Sequence, residues 1–392
     1  MMKMSTGERR ARLAVRQRCA PQARADSPVA ATESLVVLHA TDPATVFLSL
    51  AARLTEPDVG AIERALYEDR TLVKMLAMRR TMFVAPVELV PVLQAACTDT
   101  IAERERRKLV TMLELGGFGG DTDAWVGELC DIALAALVER GEALANELTA
   151  ADPRLAQKVT LAQGKSYAAE QSVLTRVLVV LAAQGKVVRG RPRGSWISRQ
   201  HRWAPVERWL PDLQPWPAGP AQVELVRRWL GAFGPGTVAD IKWWTGWTVT
   251  EVRKALAQLD TVEVQLDDGS TGLVLADDTG PTPAPGPWVA LLPALDPTVM
   301  GYAGREWFLG EHKAALFDTN GNAGPTVWCD GRVVGGWGQR KDGEVVVRLL
   351  EKVGKTASTR INAEAARLME WLGPVRVTPS FRTPLEKELS AV

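Results

Sequence analysis

The feature that most constrains this chain is a repeated order of elements: helix-length apolar stripes, then two short apolar runs on either side of a turn. In the first copy, Asp42 before Pro43 reads as an N-cap with proline at the first helical position, so a helix is expected over residues 43–54. A second helix is expected over residues 57–68, and residues 72–84 then read as two strands around the basic turn Arg79-Arg80. The second copy has helices near residues 123–140, 142–150 and 168–184, with strands over 186–189 and 195–198 about Gly190-Arg191-Pro192-Arg193-Gly194. The third has helices over 223–233, 237–244 and 248–259, then strands over 262–266 and 271–275 about the hairpin signal Asp268-Gly269. No strict residue period accompanies this order.

Helices followed by a β-ribbon is the winged-helix order. Gly246 stands where a helix-turn-helix needs its tight turn, which gives the helix over 248–259 the recognition position. Between the first two copies a long helix over residues 86–115 carries the mixed-charge run 103–108 as a solvated face and stops at Gly116-Gly117-Phe118-Gly119-Gly120. Beyond the Pro/Gly stretch 279–287, strand-like runs at 289–292, 326–329, 332–337 and 344–349, with turns at Asp330-Gly331 and Asp342-Gly343, imply a small antiparallel sheet or barrel closed by a helix over 363–372. The expected fold class is α+β, with three tandem winged-helix units followed by a C-terminal antiparallel, barrel-like β domain. The expected division is a basic helix and polar linker over residues 1–28, units over 29–120, 121–215 and 216–280, and the β domain over 281–392.

At 392 residues the chain exceeds one compact core of about 100–200 residues, and 46% apolar with 24% charged residues is ordinary globular composition. No apolar run reaches about eighteen residues and the first eighteen residues carry charges throughout, so neither a membrane span nor a signal core is expected and the protein is placed in the cytoplasm, with the nucleoid. Cys19, Cys97, Cys130 and Cys329 form no CxxC pair, and His39, His201 and His312 are the only imidazoles, so no metal and no cofactor is expected. Coiled-coil heptads are missing, and a monomer is expected.

A net charge of +1 is not that of an overtly basic protein, so nucleic-acid binding has to come from local clustering. From Arg176 to Arg208 there are eight Lys or Arg residues against the single acid Glu207. Arg79 and Arg80 at one wing-like turn, Arg189, Arg191 and Arg193 at another, and Arg199 beyond it are candidates for phosphate or minor-groove contact, with a solvated turn as the alternative. All fourteen tryptophans lie after residue 124. Trp243, Trp244 and Trp247 gather at the third helix-turn-helix, where core packing is favoured over stacking on an extruded base. Gly354-Lys355-Thr356 resembles the end of a phosphate loop, but Leu349 stands where its first glycine belongs.

Five segments carry a family resemblance. They are His39-Ala40-Thr41-Asp42-Pro43 leading into Leu48-Ser49 and Arg53; Met78-Arg79-Arg80-Thr81-Met82-Phe83; Phe233-Gly234-Pro235-Gly236-Thr237 with Asp240 and Trp244; Leu291-Leu292-Pro293-Ala294-Leu295-Asp296-Pro297 with Gly301-Tyr302 and Arg305; and Asp330-Gly331-Arg332-Val333-Val334-Gly335. In these the chain resembles the AlkZ-like winged-helix DNA glycosylases. The resemblance implies a positively charged channel for double-stranded DNA, with Arg53 among the DNA-binding residues, and excision of alkylated or cross-linked purines. The family's catalytic signature is glutamine, an apolar residue, then glutamine or aspartate, just before the first helix; His39, Ala40 and Thr41 hold those positions here.

A cationic N7- or N3-alkylpurine leaves readily, so a placed water suffices for hydrolysis. Residues two apart in an extended segment face the same way, which lets the His39 imidazole and Thr41 hydroxyl hold that water together. Only neutral His39 can take its proton, and protonated His39 would repel the developing sugar cation. The bland alternative is that His39 and Thr41 only hydrogen-bond at the start of a helix. Asp42 is the nearby carboxylate, and its N-cap role is favoured over chemistry. The leading reading is a DNA glycosylase or lesion-binding repair protein; the alternative is a non-enzymatic winged-helix DNA-binding protein, either a transcriptional regulator or an inactive family member.

Overall fold

The computed structural model describes residues 2–161, 164 and 169–391 of the chain. They divide into two compact units, one of residues 2–65, 84–86 and 223–391, the other of residues 66–83 and 87–222. Both mix helices with small sheets, so the fold is α+β. Among the described residues no helix is long and apolar enough to cross a membrane.

In the first unit the helix Thr6–Arg16 is capped by Ser5, whose hydroxyl accepts the Glu8 N–H at 3.1 Å. Its basic residues are spent internally, since Arg12 is buried and reaches Glu8 and Asp278, and Arg16 also pairs with Asp278. The segment expected as a polar linker is packed instead, with Ala25 donating its N–H to the Arg53 carbonyl and accepting from Thr55. Asp42 does cap the helix Pro43–Ala51, all nine residues of which are buried. Such all-round burial marks a helix running through a core, not one lying on a surface.

Further along, the helices Val238–Thr245 and Val249–Leu256 each begin with a capping box, Thr237 with Asp240 and Thr248 with Glu251, and are separated at Gly246, whose φ of 77° suits glycine. The strands Thr261–Leu266 and Thr271–Leu275 come next as an antiparallel pair, and Met2–Met4 adds to the first of them in parallel. An aromatic row joins these helices to the C-terminal elements of the unit. Trp229 stacks on Phe233 at 5.6 Å, Phe233 meets Tyr302 at 5.7 Å, and Phe308 stacks on Trp328 at 5.2 Å. Trp244 and Trp247 are buried with them, the core role favoured for that cluster, whereas Trp243 is only partly buried, its ring under the Arg305 guanidinium.

The last part of this unit corrects one expectation. The strands Val289–Leu292, Thr326–Cys329, Arg332–Gln339 and Val345–Leu349 make an open antiparallel sheet in chain order, and among the described residues no sheet closes into a barrel. Helices cover it instead: Lys355–Leu372 lies on the two outer strands and Pro384–Leu389 on Arg332–Gln339. Seven of the eight residues in Arg332–Gln339 are buried, so this strand is covered on both faces and has no need of a curled sheet.

The second unit is built around three helices, Asp99–Leu115, Thr122–Arg140 and Val173–Ala183, whose apolar faces meet in one core that includes Leu109, Leu113, Leu129, Leu137, Val177 and Leu181. The helix expected over 168–184 starts later, at Val173, behind a short strand Ala169–Ser172; Ala168 lies outside the described residues. The ribbon also differs. Its first strand is Val187–Pro192, but its second is His201–Pro205 and not residues 195–198. The Ser195 hydroxyl accepts the Ile197 N–H and the Ser198 hydroxyl accepts the Gln200 N–H, local bonds that hold the backbone in turns and out of the ladder.

Candidate nucleic-acid interface and catalytic segment

His39 ends the two-residue strand Leu38–His39 and is 7% exposed, whereas Thr41, in the bend before the helix Pro43–Ala51, is exposed. The two residues therefore leave the strand in different surroundings. Each carboxylate oxygen of Asp42 accepts a backbone N–H, one from Ala44 at 3.2 Å and the other from Ser380 at 2.8 Å. These bonds are those of the capping role.

Arg53 is the clearest correction. It is completely buried, and its guanidinium gives hydrogen bonds to the Gln17 and Ser49 carbonyls, to both oxygens of Asp296 and to the Thr298 hydroxyl. All five N–H groups are used, so no phosphate can be reached. Asp296, which sequence reasoning noted only within a motif, is its partner.

The remaining arginines lie in the second unit. Arg79 and Arg80 form the exposed turn after the strand Leu72–Ala77, both with positive φ, and Arg80 is tied at 2.7 Å to Glu105, which also holds the buried Arg176. The ribbon arginines are split by geometry. A bulge between Arg189 and Pro192 breaks the alternation that would have put positions 189, 191 and 193 on one face. Arg191 goes to one side, where it pairs with Glu68 at 2.9 Å above the Tyr67 ring. Arg189, Arg193 and Arg199 line a cleft on the other, with His201, Asn146 and Thr175.

Among the described residues no carboxylate lines that cleft. Burial lowers the Arg189 pKa to about 10, and its guanidinium lies over the Trp203 ring at 5.2 Å. Burial first, then the charges of Lys74 and Arg189, lower the His201 pKa to about 3. His201 is thus neutral at physiological pH and adds hydrogen-bonding capacity without charge. Sequence reasoning missed it, although it is one of three histidines and lies inside the basic stretch. Among the described residues no group of three or more His, Cys, Asp or Glu side chains is placed to hold a metal ion.

The family model described as DNA glycosylase AlkZ-like matches residues 32–371, and the chain belongs to that family. Its fold is similar to that of the Streptomyces sahachiroi DNA glycosylase AlkZ, with a TM-score of 0.72 and 22% identity over 94% of this chain and 98% of that one. No match was found among curated proteins.

Proposed function

We propose that this glycosylase hydrolyses the N-glycosidic bond of N7- or N3-alkylated purines, including cross-linked ones, in double-stranded DNA, as a monomer and without metal or cofactor. The observation that carries this reading is the position of His39-Ala40-Thr41, directly before a buried helix capped by Asp42, where the family keeps its catalytic signature. Water attacks C1′ of the sugar while the bond from C1′ to the base breaks. The bonding pair goes to the departing purine and neutralises its charge. Neutral His39 takes the water's proton, and Thr41 orients the water by hydrogen bonding. Asp42 holds the segment's geometry.

The order of three helices, a turn at Gly246 and a two-stranded ribbon supports a winged-helix reading of residues 216–280. The same reading extends to residues 29–120 and 121–215, with residues 1–28 before them and a C-terminal domain over 281–392. In this arrangement Arg79, Arg189, Arg193 and Arg199 face the DNA backbone, and Arg80 and Arg191 add positive charge beside their ion pairs with Glu105 and Glu68.

The test is base release from duplex DNA carrying N7-methylguanine, N3-methyladenine or a bulky N7-guanine adduct. His39→Ala should lower the single-turnover rate by about 10²–10⁴-fold, the range for loss of a general base, with duplex binding retained. Release from none of these lesions, despite tight binding, would overturn the assignment of alkylated purines. Release that His39→Ala and Thr41→Ala leave untouched would remove the two residues from the mechanism.

A further inference from the structure

We infer that the cleft lined by Arg189, Arg193 and His201 is a seat for one backbone phosphodiester of the DNA, held by donors from both strands of the ribbon. The inference rests on DNA being the substrate, and it assigns to one contact what the basic stretch as a whole only suggests.

A charge taken out of water needs compensation, and the described residues give this cleft none from a carboxylate. Arg189 is partly buried, its Nε has no hydrogen-bond partner, and its contact with Trp203 is to a ring face, not to an acceptor. Nδ1 of His201 is likewise buried without a partner. Arg193 is exposed at the rim of the same cleft, where Arg199 also contributes to the wall. The side chains that close the cleft from the helical side, Asn146 and Thr175, are neutral.

The chemistry of the lining selects the occupant. Arginine nitrogens are donors only, and a neutral imidazole among cations turns its N–H to an incoming anion. A base edge, even the acceptor-only major-groove edge of guanine, brings no net charge to set against the guanidiniums. A phosphodiester offers acceptors alone and brings the missing negative charge. The bulge strengthens the assignment: the arginine it diverts, Arg191, is the one with a carboxylate partner, Glu68, while those it leaves in the cleft are Arg189 and Arg193. Contacts of this kind fix the register of a protein on duplex DNA and read no sequence.

The test is the salt dependence of binding to an undamaged duplex with hydroxyl ends, followed by fluorescence anisotropy, so that it does not depend on base release. The Arg189→Gln/Arg193→Gln variant should lower the slope of log affinity against log salt by about 0.9, the value for one lost phosphate contact, and lower affinity by about tenfold for any sequence. Arg193→Lys, which keeps the charge at an exposed site, should keep the slope. If the double variant fails to fold by circular dichroism, Arg193→Gln alone carries the test. An unchanged slope would overturn the inference. So would a loss confined to duplexes with 5′-phosphate ends, since the seat would then take a phosphomonoester.

Discussion

Arg53 and Asp296 form a two-pronged ion pair with no solvent exposure on either side chain, Nη1 meeting one carboxylate oxygen at 2.8 Å and Nη2 the other at 2.7 Å. The Ser49 hydroxyl also donates to Asp296, so the pair fastens the helix beyond His39-Ala40-Thr41 to the loop before Pro297. Removing one partner strands the other as a buried charge. Arg53→Met or Asp296→Leu alone should cost about 3–5 kcal/mol of stability, and the double variant much less than their sum. Denaturant unfolding of the three proteins checks this; additive losses would mean that the two residues act separately.

Asp42 belongs to the same helix by its cap. Asp42→Ala should cost about 1 kcal/mol by loss of the cap, whereas Asp42→Asn, which keeps an acceptor for the Ala44 N–H, should retain base release close to wild type. Abolished release in a stably folded Asp42→Asn protein would instead give the carboxylate a chemical role.

What the sequence disclosed and what it hid divide along a physical line. Local signals held. Asp268-Gly269 marks a hairpin whose strands lie at Thr261–Leu266 and Thr271–Leu275, and Asp42-Pro43 marks the start of a helix, because turn and cap chemistry is decided within a few residues. Arg53 was misread because its partner is 243 residues away and a one-dimensional pattern cannot show burial. The second ribbon strand was misplaced because Trp196 and Ile197 look strand-like, while the serines beside them bond to their own backbone. The barrel failed for a third reason: whether a sheet closes depends on what covers its faces. For the site, the arginines of the cleft were legible by type, but the bulge that sorts Arg191 from Arg189 and Arg193 was not.

Glycine at position 236 is set by packing. A Cβ there would lie 2.3 Å from the Trp229 ring, in the middle of the aromatic row, so Gly236→Ala should destabilise by about 1–3 kcal/mol through overpacking. Gly231, within the helix Ala218–Phe233, has open space where its Cβ would be, and Gly231→Ala should stabilise by about 0.5–1 kcal/mol. Opposite shifts of the unfolding midpoint are expected, and equal ones would show that Trp229 moves aside freely.

His201 makes the second unit sensitive to acid. Its pKa is about 6.5 in an unfolded chain and is lowered to about 3 here by burial and by Lys74 and Arg189. Above pH 6.5 the ring is neutral in both states and carries no penalty. Between there and about pH 3 the unfolded chain binds a proton that the folded chain refuses, so stability falls as pH falls. His201→Gln keeps a polar group without that proton, so its unfolding midpoint should decline less than that of the wild type between pH 7.5 and 4.5. Parallel declines would mean that the imidazole is protonated in the folded protein. Bound DNA should shrink the wild-type decline, because a phosphate in the cleft offsets the charges of Lys74 and Arg189, which add to burial in holding His201 neutral.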